Sequence, residues 1–159
     1  MALRKVLEEG NPTLRKISKE VKNVDDHVRM ILDDLIETMI SNNGVGLAGP
    51  QVGILRRIAV VQLEEGKPYY LINPVIVEQE GDVYDDEGCL SVPDLIGKVH
   101  RPAKVKVKSL DRDGNEVFYE GEGMLARAFC HEIEHLDGIL YIDKAEDIRR
   151  VTADGQEEE

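Results

Sequence analysis

The sequence predicts an α+β fold: a mixed, largely antiparallel sheet packed around a central helix, with further helices toward the N-terminus. Three observations carry this. Apolar residues recur at helical spacing between positions 28 and 40, strand-like segments with tight turns follow from 58 to 119, and a second helical pattern comes near 123–136. The strands are joined by hairpins and not by helical crossovers, which points away from a parallel α/β arrangement.

Asn11-Pro12-Thr13 marks a helix start, and a short helix is expected through about Val21. The next helix is capped by Asp25 or Asp26. Val28, Ile31, Leu32, Leu35, Ile36, Met39 and Ile40 form its apolar face. Asn42-Asn43-Gly44 ends it, because Asn and Gly accept left-handed backbone. Gly44 to Gly53 is too rich in glycine for a regular element. Ile58 to Leu63 reads as a buried strand. Tyr69–Ile72 and Val75–Val77 read as further strand, broken by Asn73-Pro74. Ala103 to Leu110 alternates valine with lysine, Asp111 to Asn115 is a hairpin turn, and Glu116 to Tyr119 returns. The final long helix runs from near Gly123 to about Leu136, with Gly138 able to end it. Lys144 to Arg150 is expected to be helical or irregular.

The 159 residues suffice for one domain with its own core, expected over 1–150. Residues 151–159 end in Gln156-Glu157-Glu158-Glu159 and are expected to form a disordered acidic tail. A formal net charge of −12 opposes general or sequence-specific nucleic-acid binding, which needs Lys and Arg at phosphates. No window offers the ~20 apolar residues of a membrane span. No apolar signal region follows Met1-Ala2-Leu3-Arg4-Lys5. Two cysteines are too few for a disulfide framework, so a cytoplasmic protein with reduced thiols is expected.

The strongest chemical signal is His131-Glu132-Ile133-Glu134-His135. On a helix, residues four apart share a face, so both imidazoles can reach one metal ion, with Glu132 beside them as general base. A third protein ligand is needed. Tyr141 stands where an extended metalloprotease pattern would have histidine, and His27 and His100 lack supporting context. Cys89, in the Gly-hinged turn Glu87-Gly88-Cys89-Leu90-Ser91-Val92-Pro93, is the better candidate. Cys130 points about 100° away from His131 and reads as a core residue. These residues alone also admit a zincin-type peptidase with another third ligand, or a binding module with a structural metal.

Three segments together resemble the peptide deformylases: Gly44-Val45-Gly46-Leu47-Ala48-Gly49-Pro50-Gln51, Glu87-Gly88-Cys89-Leu90-Ser91 and the histidine motif. The likeness runs from the Gly10 to Arg15 region to about Tyr141. It implies removal of the formyl group from N-terminal formyl-methionine of new polypeptides, giving formate. It implies Cys89, His131 and His135 as ligands of one divalent metal, usually Fe²⁺, with Zn²⁺, Ni²⁺ or Co²⁺ able to replace it. It implies Glu132 as proton carrier, with the Gln51 side chain and the Leu90 N–H as oxyanion donors. Gly44, Val45, Gly46, Glu87 and Gly88 are implied at the substrate. Two positions depart from the family pattern. Gly49 replaces an alanine, and Glu134 replaces an aspartate that pairs with an arginine, for which Arg101 is the candidate. Some members dock on the ribosome through a basic C-terminal helix; the acidic ending here allows a transient association at most.

Overall fold

A computed structural model describes residues 2–151. The expected acidic tail, apart from Val151, lies outside the described residues. Among the described residues, two α-helices, α1 (Asp26–Ser41) and α2 (Met124–Leu136), accompany eight strands in two sheets. The larger sheet runs in the order β1 (Gly46–Ala48), β2 (Ile58–Val61), β3 (Tyr69–Glu80), β6 (Lys104–Leu110), β7 (Glu116–Glu122). The smaller is β4 (Val83–Cys89), β5 (Val92–Arg101), β8 (Glu146–Arg150). Every ladder among the described strands is antiparallel. One isolated parallel bridge joins Lys19 and Arg56.

Strand β2 is buried on both faces of the larger sheet, which explains why it is apolar at every position. Ala59 and Val61 join Leu71, Val105 and Val107 against Phe129, Ile133 and Leu136 of α2. Ile58 and Val60 point the other way, to Ile31, Leu32 and Leu35 of α1. Cys130 packs in the α2 core cluster, as its place on the helix suggested. Under the smaller sheet, Leu14, Val92, Val99, Leu140 and Tyr141 form a separate cluster.

Helix α1 opens with the Asp25 carboxylate accepting from the Val28 N–H at 3.0 Å. It closes where Asn43 adopts φ 58°. Helix α2 ends at Asp137, where Arg57 donates to the Leu136 carbonyl at 3.0 Å and pairs with Asp137 at 3.0 Å. A cation at this end suits the helix dipole.

Several expectations need correction. Only Pro12–Arg15 is helical in the first segment, as a short 3-10 turn. The buried residues Leu14, Ser18 and Val21 mimic helical spacing, but the chain runs extended, with the Ser18 and Lys19 N–H groups donating to Leu136 and Leu55 carbonyls. The glycine-rich segment contains β1 and a 3-10 turn, Gly49–Val52. Asn73-Pro74 does not break β3; Asn73 takes φ 51° and the ladder shifts register there. The Glu87–Pro93 turn is narrower than expected, with β4 and β5 reaching Cys89 and Val92 on either side of Leu90-Ser91. The segment after Lys144 forms β8.

Candidate metal centre and active site

Helix α2 carries His131, Glu132 and His135, all buried. The two histidine Nε2 atoms lie 3.2 Å apart, as one helical turn allows. Cys89 is the last residue of β4, and the tight turn behind it swings its Sγ to 3.3 Å from His135 Nε2. All three donor atoms fall within 4.8 Å of one another. Tetrahedral ligands at ordinary Zn–N and Zn–S lengths stand roughly 3.3–3.6 Å apart, so this spacing fits one divalent ion. Among the described residues no other group of three His, Cys, Asp or Glu side chains offers such a cluster. A thiolate with two imidazoles suits a borderline-soft ion.

Glu87 backs His131. Its carboxylate accepts from His131 Nδ1 at 2.7 Å, from Arg101 Nε and Nη2 at 3.0 and 2.6 Å, and from Arg127 Nη1 at 3.1 Å. A carboxylate can only accept, so Nδ1 carries the hydrogen and Nε2 is left for the cluster. Burial pushes the Glu87 carboxyl up, but hydrogen bonds from His131 and Arg101 outweigh it and hold the group at about 2. Burial likewise works against the Arg101 cation, while Glu87 and Glu134 more than compensate and raise its pKa. Arg101 Nη1 reaches Glu134 Oε1 at 2.8 Å, the partner suggested by sequence.

Glu132 is 4% exposed, and its Oε1 has no partner among the described residues. Burial pushes its carboxyl up to about 7, against the lowering influence of His131, with Glu87 adding to the rise and Arg101 opposing it. A carboxyl balanced near neutrality can both take and give a proton there. Gln51 is equally enclosed on its 3-10 turn. Its Oε1 accepts from the Ala48 N–H at 2.9 Å, which turns Nε2 toward Ser91 Oγ at 3.0 Å and Cys89 Sγ at 3.6 Å. The amide donor is therefore fixed facing the ligand cluster.

A cavity of about 370 Å³ opens beside these groups. Gly44, Val45 and Gly46 border it on the β1 side, and Gln51 on the adjoining turn. Glu87, Gly88, Cys89 and Leu90 border it from the hairpin, and His131 and Glu132 from α2. The sequence-based candidates thus converge on one place, with His135 completing the cluster behind the wall. Glu87 borders the cavity while its carboxylate is directed to His131 and the two arginines. Sequence reasoning missed Met124 and Arg127, which also line the cavity. Arg127 carried a usable signal: it lies four residues before His131, on the ligand face of α2.

Comparison with known proteins agrees with this geometry. Residues 3–151 match the family model described as polypeptide deformylase. A peptide deformylase of Acetivibrio thermocellus is 51% identical over 157 residues, covering 99% of this chain and 91% of that protein. One from Caldicellulosiruptor bescii is 54% identical over 144 residues, covering 91% and 86%. The crystal structure of peptide deformylase from Thermotoga maritima superposes with a TM-score of 0.88 at 38% identity, covering 92% of this chain and 99% of that one. That from Ehrlichia chaffeensis, in complex with actinonin, gives 0.89 at 38%, covering 92% and 91%. The chain belongs to the polypeptide deformylase family, metal-dependent hydrolases that remove the formyl group from polypeptides.

Proposed function

We propose that this chain hydrolyses the formamide of N-terminal formyl-methionine on nascent polypeptides, with Cys89, His131 and His135 holding one divalent ion. The observation that carries this reading is the meeting of those three donor atoms, the Glu132 carboxyl and the Gln51 amide around one cavity. When bound, a divalent ion supplies an acidified water and an electrophile for the formyl oxygen. Glu132 accepts the water's proton and delivers it to the amine nitrogen as the C–N bond breaks, leaving formate and a free N-terminus. Gln51 Nε2 and the Leu90 N–H donate to the oxyanion that develops at the tetrahedral carbon. Each such donor typically lowers the barrier by ~3 kcal/mol.

Strand β1 lies at the rim of the larger sheet and pairs only with β2 among the described strands. Its free side and the main chain at Val45 and Gly46 can pair with an extended peptide, which accepts varied sequences after the first residue. Gly44 and Gly88 border the approach without side chains, so that a peptide can come close, and Leu90 with Ala128 offers an apolar wall for the methionine side chain. The family resemblance points to Fe²⁺ as the ion in the cell, while the donor set suits Fe²⁺ and Zn²⁺ alike and admits Ni²⁺ or Co²⁺ as replacements. We place the work of a single catalytic domain, residues 1–150, in the cytoplasm. No described helix is long and apolar enough to cross a membrane. Contact with the ribosome is transient in this reading, since the net charge of −12 disfavours RNA.

The test is formate release from a formyl-Met tripeptide by protein prepared without oxygen and loaded with Fe²⁺ or Ni²⁺. The native protein turns over, while Glu132→Gln keeps its metal and slows by roughly 10²–10⁴-fold. No formate from a metal-loaded native protein overturns the proposal.

A further inference from the structure

We infer that Lys144 is a positioning residue for the metal centre, acting through a relay of ion pairs that runs from the surface to His131. The inference rests on the ligand set proposed above. Lys144 follows the 3-10 turn Tyr141–Asp143, and its side chain is 49% exposed. It pairs with Glu134 Oε2. Glu134 Oε1 accepts from Arg101 Nη1 at 2.8 Å. The other edge of the same guanidinium, Nε and Nη2, forms a two-pronged contact with Glu87 at 3.0 and 2.6 Å. Glu87 then accepts from His131 Nδ1.

The relay has a division of labour. Arg101 is 3% exposed and serves two carboxylates at once. Its two-pronged contact with Glu87 survives only while Glu134 is content with one N–H. Lys144 supplies that condition by occupying the second oxygen of Glu134. Without Lys144, Glu134 competes for Arg101 with both oxygens. The fork on Glu87 then loosens, and so does the restraint on the His131 ring. The same segment grips that ring a second way, since Tyr141 stacks on His131 with centroids 6.0 Å apart and planes at 28°. Tyr141 is anchored in turn by its hydroxyl, which donates to the Leu95 carbonyl at 3.0 Å. The length of Glu134 also matters, because one carboxylate spans Arg101 and Lys144. An aspartate would be one methylene too short to hold both.

The test measures Co²⁺ or Zn²⁺ affinity by competition with a chelator, together with the melting temperature of each metal-free form. Removing a group that touches a metal-bound histidine typically costs 10–100-fold in affinity, and Lys144 stands three links beyond Glu87. Lys144→Met is therefore expected to weaken binding about 3–10-fold, with the metal-free melting temperature unchanged. Lys144→Arg restores affinity to within about twofold. Glu134→Asp reproduces the Lys144→Met loss, and the double variant is no worse than either, because both break one link. Affinity of Lys144→Met within about twofold of the native value overturns the inference. So do losses that multiply in the double variant, or a drop in metal-free melting temperature without a change in affinity. A native protein that binds no metal defeats the ligand set itself, before any variant is compared. A native protein that binds metal yet releases no formate defeats only the proposed reaction.

Discussion

Glu132 and Gly46 face each other so closely that a Cβ at position 46 would run into the Glu132 carboxylate. The glycine there is thus a spatial requirement of the proton carrier. Gly46→Ala is expected to keep the metal and the fold while formate release falls about 100-fold, since displacing a reacting group by ~1 Å has that effect. Metal content and circular dichroism, measured beside the rate, check it. Full activity in this variant would show that the carboxylate has room to move. At this scale the sequence was partly legible. His131, Glu132 and His135 stood out by their helical spacing, and Cys89 by the need for a third ligand, its Gly-hinged turn and the three-segment resemblance. Glu87 did not show itself as the partner of His131. It follows Asp85 and Asp86, and only the register of β4 against β5 decides which of three acids turns inward.

Among the elements, β3 depends on one residue where its ladder shifts. Asn73 Oδ1 accepts from the Val21 N–H and its Nδ2 donates to the Val21 carbonyl, both at 2.8 Å, so a side chain imitates a strand neighbour. Asn73→Ala loses both bonds and leaves an alanine in left-handed backbone. A stability loss of about 2–3 kcal/mol is expected by urea denaturation. A second link joins two 3-10 turns: Arg15 Nη1 meets Asp143 Oδ2 at 2.6 Å. The hydrogen bond from Arg15 holds the Asp143 carboxyl below its usual range, against the opposing influence of burial. A carboxyl lowered by folding stabilises above its unfolded pKa, about 3.9, and that contribution fades as pH falls below it. The stability difference between native protein and Asp143→Asn should therefore be present at pH 7 and vanish by about pH 2. A difference that persisted undiminished in acid would count against the ion pair. Helices α1 and α2 could be read from apolar periodicity, because each buries one stripe. Strands β4 and β8 could not. Asp85-Asp86-Glu87-Gly88 and Glu146-Asp147 are poor strand formers, and they pair because β5 offers its two edges.

For the whole molecule, the antiparallel α+β character was legible, but the division into two sheets was not. Nothing in the hairpin spacing tells which strands share a sheet. The division has energetic content. The larger sheet is braced by helices on both faces, whereas the smaller one rests on a modest cluster around Leu140 and Tyr141. Stripping the metal should therefore speed hydrogen exchange in β4 and β5 near Cys89, while β2 and β3 stay protected. Uniform protection in both forms would mean that the ligands are held without the ion.

Cys89 belongs to the smaller sheet and the two histidines to the helix on the larger one, positions 46 residues apart in sequence for Cys89 and His135. An ion held by all three binds the assembled layers and not the open chain. At a free concentration 100 times its Kd, such a ligand adds about 2.7 kcal/mol to the folded state. The metal supply of the cell would then govern the lifetime of this protein as well as its rate. Under scarcity the enzyme would turn over more slowly and also be degraded sooner, so starved cells would clear it and not keep an idle stock.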